Sequence, residues 1–192
     1  MAAQPVSVFA RHVTLFSALT AIKPDSTVSP VSILWMNTCV AFFPLLSGFK
    51  IASKEVVWRE DKQLDCVVLQ VAMIDPTPES LHQNTVPPER LVFVVQCRSP
   101  EKDTLAEWKL AEDQLLAYCV GNTNGTRRTF AATAIGTRAK FWRYDRPRLT
   151  PLMEDDKTYD LLDGTASYEV EQCLDYIREN SWTWAQDGNN LS

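Results

Sequence analysis

Two apolar runs constrain the fold of this chain of 192 residues most strongly. Leu64–Ile74 and Leu91–Arg98 each carry apolar residues on both alternating faces, and such strands usually lie inside a sheet covered by helices on both sides. A helical pattern over Asp103–Cys119 follows the second run, and two more strands are predicted at Thr129–Ile135 and Arg138–Tyr144. A helix between two strands implies a crossover and some parallel pairing.

A further short strand is predicted at Ser53–Trp58, and a C-terminal helix at Tyr168–Glu179. The order of elements therefore indicates an α/β fold with a mixed central sheet of about five strands flanked by helices. The length is that of a single domain over residues 1–192. Within it we expect N-terminal helices over 1–49, a core over 50–145, and an acidic C-terminal helix and tail over 146–192.

The N-terminal segment combines an apolar run with a late first acidic residue. Val13–Ile22 precedes Asp25, an arrangement that a weak secretory signal or mitochondrial presequence would also show. We favour an amphipathic first helix. Its predicted inward face holds Phe9, Val13, Phe16 and Leu19.

The stretch between Asp25 and Lys50 has no charged residue and is long enough to span a bilayer. Polar residues interrupt it, so we predict a buried helix from Pro30 to Gly48, because proline suits a first turn and glycine a C-terminal cap. Five cysteines without a CxxC pair argue against a disulfide framework or a zinc site. We expect an intracellular protein, cytoplasmic or nuclear, without a membrane-spanning segment.

The formal net charge of −5 hides an asymmetry along the chain. From Pro151 onward there are ten acidic residues against only two basic ones. The run Arg127–Arg148 holds seven basic residues and a single acid, Asp145. This local basic density is compatible with a DNA or RNA partner, although the chain as a whole does not have the charge of a nucleic-acid-binding protein.

Three polar residues stand at the ends of the two apolar strands. Asp65 begins the first strand, and Gln96 and Arg98 end the second. Side chains in such positions can converge on one point of an open α/β sheet. Alternatively, Asp65 caps the preceding loop, and Gln96 and Arg98 are strand residues of no special role.

The arrangement resembles the PD-(D/E)xK nuclease superfamily, in which an acidic residue on one strand precedes a (D/E)-x-K on the next strand and then a helix. The matching pieces are Asp65, the run Val-Val-Gln96-Cys-Arg98-Ser-Pro, the helix that carries Gln114, and the strand pair over Ala134–Tyr144. The chain is also similar to uncharacterised fungal proteins of this kind. The resemblance implies a restriction-endonuclease-like core, catalytic positions at Asp65, Gln96, Arg98 and Gln114, and Mg²⁺ at Asp65 if the protein is active.

Two of these positions depart from the catalytic pattern. Gln96 brings a neutral amide where the family has a carboxylate, and Mg²⁺ prefers anionic oxygen ligands. Arg98 replaces the lysine and stays protonated, so it cannot act as a base. We therefore predict a catalytically impaired protein that binds nucleic acid or protein.

Two alternatives remain open. An active Mg²⁺-dependent nuclease would need a relocated acidic ligand, for which the candidates are Glu60, Asp61, Glu101 and Glu107. A protein-interaction or regulatory module would use the acidic C-terminal helix and tail.

Basic residues on the last predicted strand form a candidate nucleic-acid surface. Arg138, Lys140 and Arg143 could contact a phosphate backbone, with Trp142 and Tyr144 available for stacking. The competing interpretation is a solvated edge strand whose charges discourage aggregation.

Overall fold

The computed structural model describes residues 6–53, 65–71, 88–122, 127–153 and 155–187. The strand predicted at 53–58 lies outside these residues except for Ser53. The polar, proline-bearing segment 75–90 is predicted as a loop; it is described only from Pro88 onward, where Glu89 and Arg90 already belong to a strand.

The centre of the molecule is a mixed sheet of seven strands within the described residues. The strands are β1 Phe49–Ala52, β2 Cys66–Val71, β3 Glu89–Arg98, β4 Arg128–Ile135, β5 Arg138–Asp145, β6 Arg148–Pro151 and β7 Tyr159–Asp160. They lie in the order β1 to β6, and β7 pairs with the start of β5. The pairing of β3 with β4 is parallel, and the other pairs are antiparallel. The predicted α/β class and mixed sheet are confirmed.

Helices cover both faces of this sheet. They are α1 Val8–Arg11, α2 Val13–Thr20, α3 Val28–Phe42, α4 Leu105–Asn122 and α5 Gly164–Asp187, with short 3-10 turns at Leu45–Ser47 and Pro100–Lys102. Helix α4 makes the crossover between the parallel strands β3 and β4, where the strand–helix–strand pattern placed it. The N-terminal helices and α5 pack on one face, and α4 packs on the other.

A β-bulge in β3 decides which of its residues face which layer. Val68 pairs with Phe93 but Leu69 pairs with Leu91, so Val92 has no partner in the register. Val92 therefore packs with Phe93 on the side of the N-terminal helices, whereas Val94 packs against α4. Simple alternation along the strand predicts Val92 on the same face as Val94, and the extra residue of the bulge explains the difference.

The inward face of the N-terminal helix differs from the expected one. The helical run is interrupted at His12, whose backbone is extended, with φ −89° and ψ 113°. Phe9 and Leu19 are buried as expected, but Leu15 is buried in place of Val13 and Phe16, which are exposed. The break at His12 turns α2 relative to α1, so one helical wheel cannot describe both.

Helix α3 ends earlier than predicted, at Phe42 rather than near Gly48. Pro44 explains this end, because proline disfavours helical geometry in the residue before it and cannot donate a backbone hydrogen bond. Gly48 has a left-handed backbone with φ 82°, but it caps the short 3-10 turn instead of α3. Among the described residues, no helix is long and apolar enough to cross a membrane.

Candidate functional site

The structure brings three of the four residues expected at catalytic positions into one hydrogen-bonded group. Gln96 and Arg98 project from the end of β3 toward α4, where Gln114 lies. The Gln114 Oε1 atom accepts hydrogen bonds from Gln96 Nε2 at 2.9 Å and from Arg98 Nη2 at 2.6 Å. Arg98 Nη1 also lies 2.8 Å from Glu107 Oε2, again on α4. We call Gln96, Arg98, Glu107 and Gln114 the motif network.

The motif network is partly shielded from solvent. The side chains of Arg98 and Glu107 are 17% and 25% exposed, so their ion pair is better protected than a typical surface pair. Lys102 approaches the other carboxylate oxygen of Glu107 at 3.8 Å. Within the described part of the chain, Gln96 Oε1 and Arg98 Nε are buried without a hydrogen-bond partner.

The fourth expected residue, Asp65, has different partners. Its Oδ1 atom accepts a hydrogen bond from Ser32 Oγ at 2.6 Å, and its Oδ2 atom accepts one from the Cys97 backbone N–H at 2.9 Å. Ser32 belongs to α3, on the face of the sheet opposite α4. The Asp65 carboxylate thus ties β2 to α3 and β3, and it forms no ion pair with Arg98 or another basic side chain among the described residues.

The side chains at the motif positions do not fit a magnesium ion. Mg²⁺ needs several hard oxygen ligands in an octahedron, usually including one or two carboxylates. Here the Glu107 carboxylate forms an ion pair with the guanidinium of Arg98, which is permanently charged. The Asp65 carboxylate accepts hydrogen bonds from Ser32 and from the Cys97 backbone. Across the described residues no group of three metal-binding side chains comes together. Of the relocated acids considered from the sequence, Glu60 and Asp61 lie outside the described residues.

Cys97, between Gln96 and Arg98, is a buried thiol on the face of the sheet opposite the motif network. Burial raises the pKa of the Cys97 thiol well above its ordinary value, and the nearby Asp65 carboxylate raises it further. The arginine beside it in sequence does not counteract this, because alternate strand residues point to opposite faces. Cys97 therefore stays protonated near neutral pH.

The three basic residues expected to bind nucleic acid do not form one surface. Arg138 and Lys140 lie on the α4 side of β5, where Arg138 Nη1 is 3.0 Å from Asp103 Oδ2 and Lys140 Nζ is 2.8 Å from Asp156 Oδ1. Arg143 is an odd number of residues away and projects toward α5, where it donates a hydrogen bond to Tyr176 Oη at 3.2 Å. Acidic partners thus offset the charges of Arg138 and Lys140, and Arg143 lies on the opposite face of the sheet.

A second cluster of basic residues lies at the other end of the sheet. An open cleft of about 550 Å³ is bounded by the start of β4, the end of β5, the β5–β6 turn and the last turns of α5. We call it the arginine cleft. Its walls carry Arg127, Arg128, Arg143, Asp145, Arg146, Pro147, Arg148, Thr150 and Trp184.

Sequence reasoning identified the basic density but not this grouping. The sequence shows that the run Arg127–Arg148 is basic. The β4–β5 hairpin separates its residues into two groups, because Arg128 pairs with Asp145 at the open end and Ile135 pairs with Arg138 at the turn. The register of the hairpin decides the grouping, and it follows from the tight join that the sequence predicts at Gly136 and Thr137.

The chain was compared with protein-family models, with curated proteins and with solved structures, and none of them matches it. The PD-(D/E)xK resemblance therefore remains an expectation from the sequence.

Proposed function

We propose that this chain is a PD-(D/E)xK-like protein that binds nucleic acid without cleaving it. The observation that carries the proposal is the motif network, in which Arg98 is paired with Glu107 and bound by Gln114. A guanidinium at this point repels a divalent cation and cannot accept a proton from water. The network is therefore suited to stabilising the end of β3 against α4 and unsuited to activating a nucleophile.

We favour nucleic acid over a protein partner because most acidic side chains of α5 already have partners within the chain. Glu169 pairs with Lys157, Asp175 pairs with Arg178, and Glu171 accepts a hydrogen bond from the Val8 backbone. The arginines at the far end of the sheet, in contrast, have few acidic partners among the described residues. At this end of the sheet the uncompensated charge is thus positive, although the chain as a whole carries a net charge of −5.

The direct test is a cleavage assay on supercoiled plasmid and on single-stranded RNA, with Mg²⁺, Mn²⁺ or EDTA. We expect the same low level of nicking in all three conditions, and no difference between the natural chain and Arg98→Ala. In parallel, the uncleaved substrate should be retained by the protein in a gel-shift assay at low salt.

Two results would overturn the proposal. Cleavage that requires Mg²⁺ and is lost in a folded Asp65→Asn variant would show an active nuclease with a relocated acid. Absence of any gel shift at 50 mM salt would refute nucleic-acid binding, because phosphate contacts are strongest at low salt.

A further inference from the structure

The arginine cleft carries an excess of positive charge. Five arginines line it against the single carboxylate of Asp145. That carboxylate is already paired with Arg128, at 3.0 Å from Oδ2 to Nη2. Arg127, Arg146 and Arg148 are exposed and make no ion pair with any described residue. Arginines cannot lose their charge at physiological pH, so the repulsion among them persists until an anion binds.

Two of the five arginines are held in position by aromatic rings of α5. The Arg128 guanidinium lies 4.6 Å from the ring centre of Trp184, and the Arg143 guanidinium lies 5.4 Å from that of Tyr176. Trp184 in turn stacks on Phe130, with ring centres 5.8 Å apart. Contacts of this kind orient a guanidinium and leave some of its N–H groups available to bind an anion.

The shape of the cleft suits a chain of anions more than a single small one. Its volume of about 550 Å³ exceeds the size of one phosphate and falls within the range of ligand sites. It is open at the rim, where Arg127, Arg146 and Arg148 are exposed, so a strand could pass through it. A planar guanidinium group can donate two parallel hydrogen bonds to two oxygens of one phosphate, which makes arginine well suited to phosphate recognition.

We propose that the arginine cleft is the site at which the phosphate backbone of a nucleic acid binds this protein. The inference rests on the proposed function and adds the location. The cleft lies near Arg128, at the start of β4, whereas the motif network lies near the other end of the sheet, where Arg98 pairs with Ile135. Seven residue steps along β4 separate the two places by about 23 Å at roughly 3.3 Å per residue. Binding is thus remote from the positions that the family uses for cleavage.

The test measures binding of a fluorescein-labelled single-stranded DNA 20-mer by fluorescence anisotropy at 50, 100 and 200 mM KCl. The variant is Arg146→Ala with Arg148→Ala, both exposed and outside any ion pair among the described residues. We expect at least a tenfold loss of affinity at 50 mM KCl. The slope of log affinity against log salt should fall by about 1.4, because each lost phosphate contact on a single strand contributes about 0.7.

A matched control removes the same charge elsewhere. Arg11→Ala with Lys23→Ala takes away two exposed basic residues of the N-terminal segment and should bind nearly as well as the natural chain. Replacement of Arg146 and Arg148 by lysine should restore most of the affinity. Equal melting temperatures of all variants would show that the folded state is intact.

The outcomes separate the location from the function. If the alanine pair binds the DNA as tightly as the control pair, the cleft is not the site, although nucleic-acid binding itself stands. If the natural chain binds neither this DNA nor the plasmid and RNA of the gel-shift assay, the location and the proposed function fail together. If ATP or inorganic tripolyphosphate binds in the cleft while DNA and RNA do not, the ligand is a free polyphosphate and the assignment to a nucleic-acid backbone is wrong.

Discussion

The carboxylate of Asp65 joins three parts of the chain through two hydrogen bonds. Asp65 precedes β2, Ser32 lies on α3, and the Cys97 backbone N–H belongs to β3. A hydrogen bond to a charged group in a partly buried site contributes about 1.5–3 kcal/mol, more than a neutral one. An acidic residue at this position is therefore explained by stability, without any role in binding a metal.

This interpretation predicts that Asp65→Ala lowers the free energy of unfolding by about 2–3 kcal/mol, since the Cys97 N–H would lose its partner near the end of the sheet. Urea denaturation followed by circular dichroism would measure the change. Asp113→Ala is the control, because its carboxylate is exposed and, among the residues that the structure describes, pairs only with the exposed Lys109 on the same helix. Such a pair contributes less than about 1 kcal/mol. Equal stability of the two variants would contradict the anchoring role of Asp65.

The β4–β5 hairpin positions both candidate sites, because its turn lies beside the motif network and its open end forms part of the arginine cleft. The turn depends on Gly136, which has a left-handed backbone with φ 58°. A Cβ atom there would lie 3.1 Å from both Cα and Cβ of Pro100, in the segment that follows β3. The Gly136 N–H also donates a hydrogen bond to the Arg98 carbonyl at 3.2 Å.

Gly136→Ala should therefore destabilise the protein by about 2 kcal/mol or more, because a side chain in left-handed geometry costs roughly 1–2 kcal/mol and the contact with Pro100 adds to it. Thermal and urea denaturation would measure this loss. Gly121→Ala in α4 is the matched control, with nothing within 4 Å of the added Cβ atom. We expect it to be neutral or to stabilise by up to about 1 kcal/mol, because alanine favours a helix. A Gly136→Ala variant as stable as this control would contradict the argument.

The elements with a strong pattern were predictable, and those decided by tertiary contacts were not. The two-sided apolar strands and the crossover helix followed from periodicity. The strands β6 and β7 did not, because Arg148–Pro151 is short and mostly exposed and Tyr159–Asp160 has only two residues.

The same limit applies to individual side chains. The helical wheel over 103–119 places Leu105 on the apolar face, but Leu105 is 90% exposed at the first position of α4, and Tyr118 is buried instead. At the candidate site, the strand period of two predicts Gln96 and Arg98 on one face of β3, and the family resemblance adds Gln114. Ser32, the partner of Asp65, is 33 residues away in the chain, and no local pattern could connect the two.

At the scale of the whole molecule, the apolar cluster on the side of the N-terminal helices joins segments from both ends of the chain to the sheet. Phe9, Trp35, Phe93, Phe141 and Leu174 all belong to one cluster of buried side chains. Burial of a large apolar side chain contributes about 1.5–3 kcal/mol, and the total stability of a domain is only about 5–15 kcal/mol. The N-terminal helices therefore cannot detach without a large fraction of that stability being lost.

This coupling predicts one cooperative unfolding transition, and a pair of substitutions in the short helix α2 tests it. Leu15 is 1% exposed and packs in the common core, whereas Val13 on the same helix is 78% exposed. Leu15→Ala should lower the free energy of unfolding by about 2–5 kcal/mol, and Val13→Ala should change it by less than about 0.5 kcal/mol. In Leu15→Ala the whole transition should move to lower urea, with tryptophan fluorescence and far-ultraviolet circular dichroism still coincident and the m-value unchanged. If the N-terminal helices instead formed a separate unit, Leu15→Ala would shift only an early phase and leave a second transition in place, because most tryptophans lie beyond residue 49 and would report the unfolding of the remaining core.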